Sequence, residues 1–221
     1  QMLTWSHLAD VLEEPDDKNG TERATEHFVG IARKLYEADK ADARASSDLG
    51  IALNRLAHRV PHSQNARRQA LLRETIQFLQ QAIQRNPKSA LSKVYLANSQ
   101  IFLADAVQSS GDRQSAKRLW QQSMLVAEPL LESGQGVVME LYAVACRKLS
   151  VVAIEEGDFH KAAELVAKLR DTLLASRATD WRGPVINGGN CLGILSRPGH
   201  YDTMFIPPHK LGTTEIGRAH V

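Results

Sequence analysis

Apolar residues recur along this chain at intervals of three and four. Trp5, Leu8, Ala9 and Leu12 fall at i, i+3, i+4 and i+7, the spacing that puts them on one face of a helix. Leu49, Leu53, Leu56 and Ala57 repeat the pattern. So do Leu96, Ala97, Phe102, Leu103 and Val107, and then Leu141, Ala145, Leu149, Val152 and Ala153. Each stripe is followed by a turn and then by a second stripe. Ala116, Trp120 and Ser123 follow Gly111-Asp112, and Ala162, Val166 and Leu169 follow Gly157-Asp158 at the same offsets.

Gly111 and Gly157 stand 46 residues apart. Two upstream copies keep roughly that interval: Gly20, Ala24, Phe28 and Ile31, then Thr75, Leu79 and Ala82, closed by the helix stop Asn86-Pro87. Self-similarity at a fixed period predicts a helical repeat array, in which each unit buries its apolar face on its neighbours. The expected fold class is all-α: an α-solenoid of about four antiparallel helix hairpins, roughly 2–40, 45–86, 89–132 and 136–176, followed by an irregular tail. Small residues at Ala116 and Ala162 let paired helices approach closely, and the larger residue four positions on fills the gap. Trp120 is therefore expected in the core, and Phe159 and Ala162 are expected to fold inward.

Composition changes this picture little. Hydrophobic residues make up 43%, charged residues 24% and aromatics 5%, with a formal net charge of +2. That balance announces neither nucleic acid nor an acidic partner. Arg67-Arg68, Arg73 and Lys117-Arg118 are interspersed with acids and have no aromatic platform, so they read as solvated helix faces and no nucleic acid is expected. Cys146 and Cys191 form no metal or disulfide framework. No apolar run approaches the ~18 residues of a membrane span.

The two ends are unusual. The chain opens on Gln1, which suggests a fragment. After Ser176 the helical period stops and glycine and proline accumulate. Residues 177–214 are expected to be a frameshifted or disordered end, and residues 215–221, EIGRAHV, match read-through into a common sequencing adapter.

The densest cluster of potential chemistry is Glu155, Glu156, Asp158 and His160. These are reasonable metal ligands, yet Gly157-Asp158 also supplies a helix C′ glycine followed by an N-cap aspartate. The turn is the expected reading, and no metal or cofactor is expected. His58 and His62 are separated by Pro61 and lack the glutamate of a zinc-binding HExxH, so a surface or cap role is expected. His58-Arg59 is followed by Val60, not aspartate, and Gly157-Asp158-Phe159 is not Asp-Phe-Gly; a kinase catalytic loop is absent. No GxSxG elbow or Walker A loop occurs. No catalytic residue is assigned, and the chain is not expected to be an enzyme.

The alternation of Trp, Leu and Ala on the first helix, Gly-Asp at the turn and Ala/aromatic/Ala on the second resembles the tetratricopeptide repeat family from Met2 to about Ala175. QRNPKSA looks like that family's inter-repeat junction. The period departs from the family's ~34 residues, and Ala9, Ala57, Ala104 and Ser150 stand where the small residue is usually glycine. Trp5 to Ala57 more narrowly resembles the C-terminal repeat regions of bacterial Hanks-type serine/threonine protein kinases. That resemblance implies a non-catalytic regulatory fragment that binds a protein, a peptide or a neighbouring domain. It also implies a cytoplasmic location by default, or an extracytoplasmic one if the parent kinase is membrane-anchored. The alternative is the helical-repeat arm of a transcriptional regulator or signalling ATPase. First-helix side chains usually line the concave face of such arrays, which makes Asn54, Arg55, Asn98, Gln100 and Arg147 the candidate partner contacts.

Overall fold

The computed structural model describes residues 18–179 and two short strands at 195–196 and 201–202. Within the unit Gln1–Gly183 the described elements are seven α-helices in succession. These are α1 Lys18–Ala38, α2 Ala43–Arg59, α3 Asn65–Arg85, α4 Ala90–Gln108, α5 Arg113–Ala127, α6 Gly136–Glu155 and α7 Phe159–Thr179, with 3-10 turns at His62–Gln64 and Glu128–Ser133. In the unit Pro184–Val221, β1 Leu195–Ser196 pairs antiparallel with β2 Tyr201–Asp202. The expected opening helix at Trp5 to Leu12, the rest of the tail and the adapter-like end lie outside the described residues.

The Gly-Asp turns have the geometry their sequence predicts. Gly111 and Gly157 hold φ at +91° and +78°, a conformation that costs a side chain and suits glycine. Asp112 N–H donates to Val107 O and Gly111 N–H to Gln108 O; Asp158 N–H donates to Ala153 O and Gly157 N–H to Ile154 O. Both turns are thus Schellman motifs, which satisfy the orphan carbonyls of the ending helix. The following aspartate then caps the next helix: Asp112 accepts from Ser115 N–H at 3.0 Å and Asp158 from Lys161 N–H at 2.9 Å. The backbone N–H and then the hydroxyl of Ser115, both bonded to it, hold the Asp112 carboxyl below the ordinary carboxylate range. Glu155 reaches Arg113 and Glu156 reaches Lys117, so these acids tie α6 to α5.

Each helix packs on the one before it, and α2, α4 and α6 also touch in turn. These first helices of the hairpins form an inner layer, with the second helices α3, α5 and α7 against it. Leu49, Leu53, Ala57, Leu72 and Leu79 are buried, as are Ala97, Ile101, Leu141 and Leu149. Trp120 is 1% exposed and lies in a cluster with Ala116, Leu141, Cys146 and Leu165. Polar contacts report the period directly. Tyr36 OH donates to Gln81 Oε1, Ser47 Oγ meets Ser92 Oγ, and Asn54 Nδ2 donates to Ser99 Oγ, each pair 45 residues apart. Equivalent positions of successive hairpins stand against one another because the units repeat at nearly that interval.

Two positions depart from the inward expectation. Phe159 is 70% exposed, and Val166 is 54% exposed. Phe159 directly follows the cap Asp158, the place held by Arg113 in the preceding unit, which is also exposed. Val166 occupies the register of Trp120, but no described helix lies beyond α7 to cover it.

Candidate protein-interaction groove

The inner layer is interrupted by a groove of about 760 Å³. The last two turns of α2 contribute Asn54, Arg55, His58 and Arg59. The first half of α4 contributes Ala90, Leu91, Val94, Tyr95 and Asn98, and Gln135 and Val137 come from the start of α6. Its floor is apolar and open: Leu91 is 57% exposed and Val137 48%. Both stand just inside a helix N-terminus, one position outside the stripe that faces the core.

The polar side of the groove is held by bonds between α2 and α4. Asn98 Oδ1 accepts from Asn54 Nδ2 and from His58 Nε2, each at 3.3 Å. An amide oxygen only accepts, so His58 carries its hydrogen on Nε2 in this arrangement. The His58 ring meets Phe102 edge-on with centroids 3.9 Å apart. Burial of that inner face lowers the His58 pKa; the Asn98 bond opposes the shift, and Arg68 and Arg59 add to it. Behind it, buried Arg68 donates to His62 Nδ1 at 2.9 Å, and its guanidinium lies 5.7 Å from the Phe102 ring centre. Both histidines therefore spend ring nitrogens on helix packing.

The structure brings three of the five sequence-derived contact candidates to this groove and leaves two elsewhere. Asn54 lines it, although its side chain is buried and turned into the α2–α4 bonds. Arg55 lines it with its guanidinium 6.0 Å from the Phe28 ring centre, and Asn98 lines it half-buried. Gln100 is buried, with its Oε1 lacking a partner, and Arg147 is exposed; neither lines the groove. Leu91, Val94, Tyr95, His58 and Val137 were not among the sequence candidates. For Leu91 and Val137 the signal is an apolar residue outside the core stripe at the same register in two units, 46 residues apart. Among the described residues, no helix is long and apolar enough to cross a membrane.

No protein-family model matches the chain, and no curated protein matches it. Among solved structures, a de novo designed helical repeat protein is similar over 82% of this chain and 93% of its own, at 15% identity and a TM-score of 0.43. MamA protein is similar over 84% of this chain and 98% of its own, at 14% identity and a TM-score of 0.31. By its own helix order, packing and period, this chain is a helical-repeat array.

Proposed function

We propose that this chain is a non-catalytic interaction module that receives a polypeptide segment in the groove between α2, α4 and α6. The observation that carries the reading is the exposure of Leu91 and Val137 over a concave, 760 Å³ space. Exposed apolar side chains in a groove rimmed by polar groups are the usual foundation of a docking site. Arg55, His58 and Asn98 would set the orientation of the bound segment, while Leu91, Val94, Tyr95 and Val137 would accept its aliphatic side chains.

The test is a random peptide array probed with the purified chain. Leu91→Asp and Val137→Asp should each abolish recovered binding while leaving the helical circular dichroism unchanged. Leu125→Asp, at an exposed leucine outside the groove, should bind like the parent. Undiminished binding by the groove variants would remove the reading. The resemblance of Trp5 to Ala57 supports a finer one, in which the module is the regulatory C-terminal part of a bacterial serine/threonine protein kinase. Recovery of the flanking DNA tests it: an in-frame upstream domain with His-Arg-Asp and Asp-Phe-Gly is expected, and a different domain there would refute it.

A further inference from the structure

The outward face of α7 continues an interface that the array already uses once. Four α5 positions and Glu128, which follows α5 directly, connect that hairpin to α6. Arg113 pairs with Glu155, Lys117 with Glu156, Trp120 packs near Leu141 and Leu149, Met124 meets Cys146 and Glu128 accepts from Tyr142. The 46-residue register carries these positions to Phe159, Ala163, Val166, Arg170 and Leu174. On α7 these residues lie along one stripe, and all are exposed: Phe159 at 70%, Val166 at 54% and Leu174 at 53%, with Ala163 and Arg170 between them. The α7 stripe is therefore the surface on which an antiparallel helix would sit as α6 sits on α5. Its chemistry differs in one respect. Where α5 offers Arg113 and Lys117 to two glutamates, α7 offers Phe159 and Ala163, so the helix it fits is apolar at that end and not acidic.

We propose that the occupant is a second copy of this chain, bound through α7 against α7 around a two-fold axis near Val166. The stripe is complementary to itself when reversed. An antiparallel pair brings Phe159 onto Leu174 of the second copy and Ala163 onto Arg170, a small residue beneath a long one, while Val166 meets its own counterpart. An isologous contact needs this self-complementarity. Large side chains opposite small ones also let the helices close without voids. Arg170 keeps its charge satisfied within its own chain, through Asp171 at 2.7 Å, so closing the contact strands no guanidinium. The groove between α2, α4 and α6 takes no part, and the contact does not depend on what that groove binds.

Sedimentation equilibrium across a range of protein concentrations tests the proposal. The parent chain should show a monomer–dimer equilibrium. Val166→Lys should weaken association at least ~100-fold, because each dimer would bring two ammonium groups together at the axis, one helical turn from the Arg170 of either copy. Val166 is exposed in the monomer, so that variant should keep the parent's circular dichroism, and its melting temperature at a concentration where the parent is monomeric. Phe159→Glu should weaken the dimer in the same direction, and Leu125→Glu should leave it intact. A parent chain that stays monomeric at the highest concentration, or a dimer that survives Val166→Lys, overturns the proposal.

Discussion

Gly50→Ala adds one methyl group to the middle of α2, where helix propensity alone would favour the change. An alanine in a helix interior is worth ~1 kcal/mol over glycine. At this site, however, the new Cβ would lie 2.7 Å from Leu79 Cγ and 2.9 Å from Cδ2, with the Leu79 backbone N at 3.4 Å. Leu79 is fully buried and packed against Ile51 and Leu96, so it cannot swing aside without pushing both. Forcing a methyl into a filled core costs ~1–3 kcal/mol, so the net effect should be a destabilisation of ~0–2 kcal/mol. Gly30 provides the matched control. It lies in α1, and a Cβ there would meet nothing within 4 Å. Gly30→Ala should therefore return the propensity gain undiminished, raising stability by ~1 kcal/mol. Urea unfolding of the three proteins at 25 °C reads both effects as shifts of midpoint at constant m. The prediction is a difference of ~1–3 kcal/mol between the two variants, with Gly50→Ala below the parent and Gly30→Ala above it. Equal stabilisation by both would refute the close approach of α2 to α3 at Leu79.

Other perturbations test the array and its groove. Trp120→Ala should cost ~3–5 kcal/mol, whereas Val166→Ala at the equivalent position should change stability by less than ~0.5 kcal/mol; comparable losses in denaturant titrations would contradict the burial of one and the exposure of the other. The lowered pKa of His58 makes stability pH-dependent with a definite sign. The unfolded ring takes up a proton near its ordinary pKa of ~6.5 and the folded ring only at lower pH, so this contribution is intact above ~6.5 and is lost as pH falls through the interval between the two values. His58→Gln should therefore lose less stability than the parent between neutral pH and mildly acidic pH, and parallel pH profiles would exclude His58 as the source.

The sequence by itself determined the helices, their turns and the period. An apolar stripe at three- and four-residue spacing, a glycine able to take positive φ and an aspartate able to cap are local requirements. Gly111-Asp112 and Gly157-Asp158 meet them without help from distant residues. Trp120 was legible as core for the same reason, since its place in the repeat matched that of other apolar residues. The groove was legible only in part. Polarity on a first helix singled out Asn54, Arg55 and Asn98, but also Gln100, which is buried, and Arg147, which lies outside the groove. What a side chain faces is set by the neighbouring hairpin, whose contacting residues stand some 39 to 45 positions away in the chain. Only the packed array could decide that Asn54 turns inward to Ser99, that Leu91 and Val137 share one open floor, and that Gly50 lies against Leu79. The same holds for Val166: it carries the register of a core residue, but burial requires a neighbouring helix as well as a register, and among the described residues none covers it.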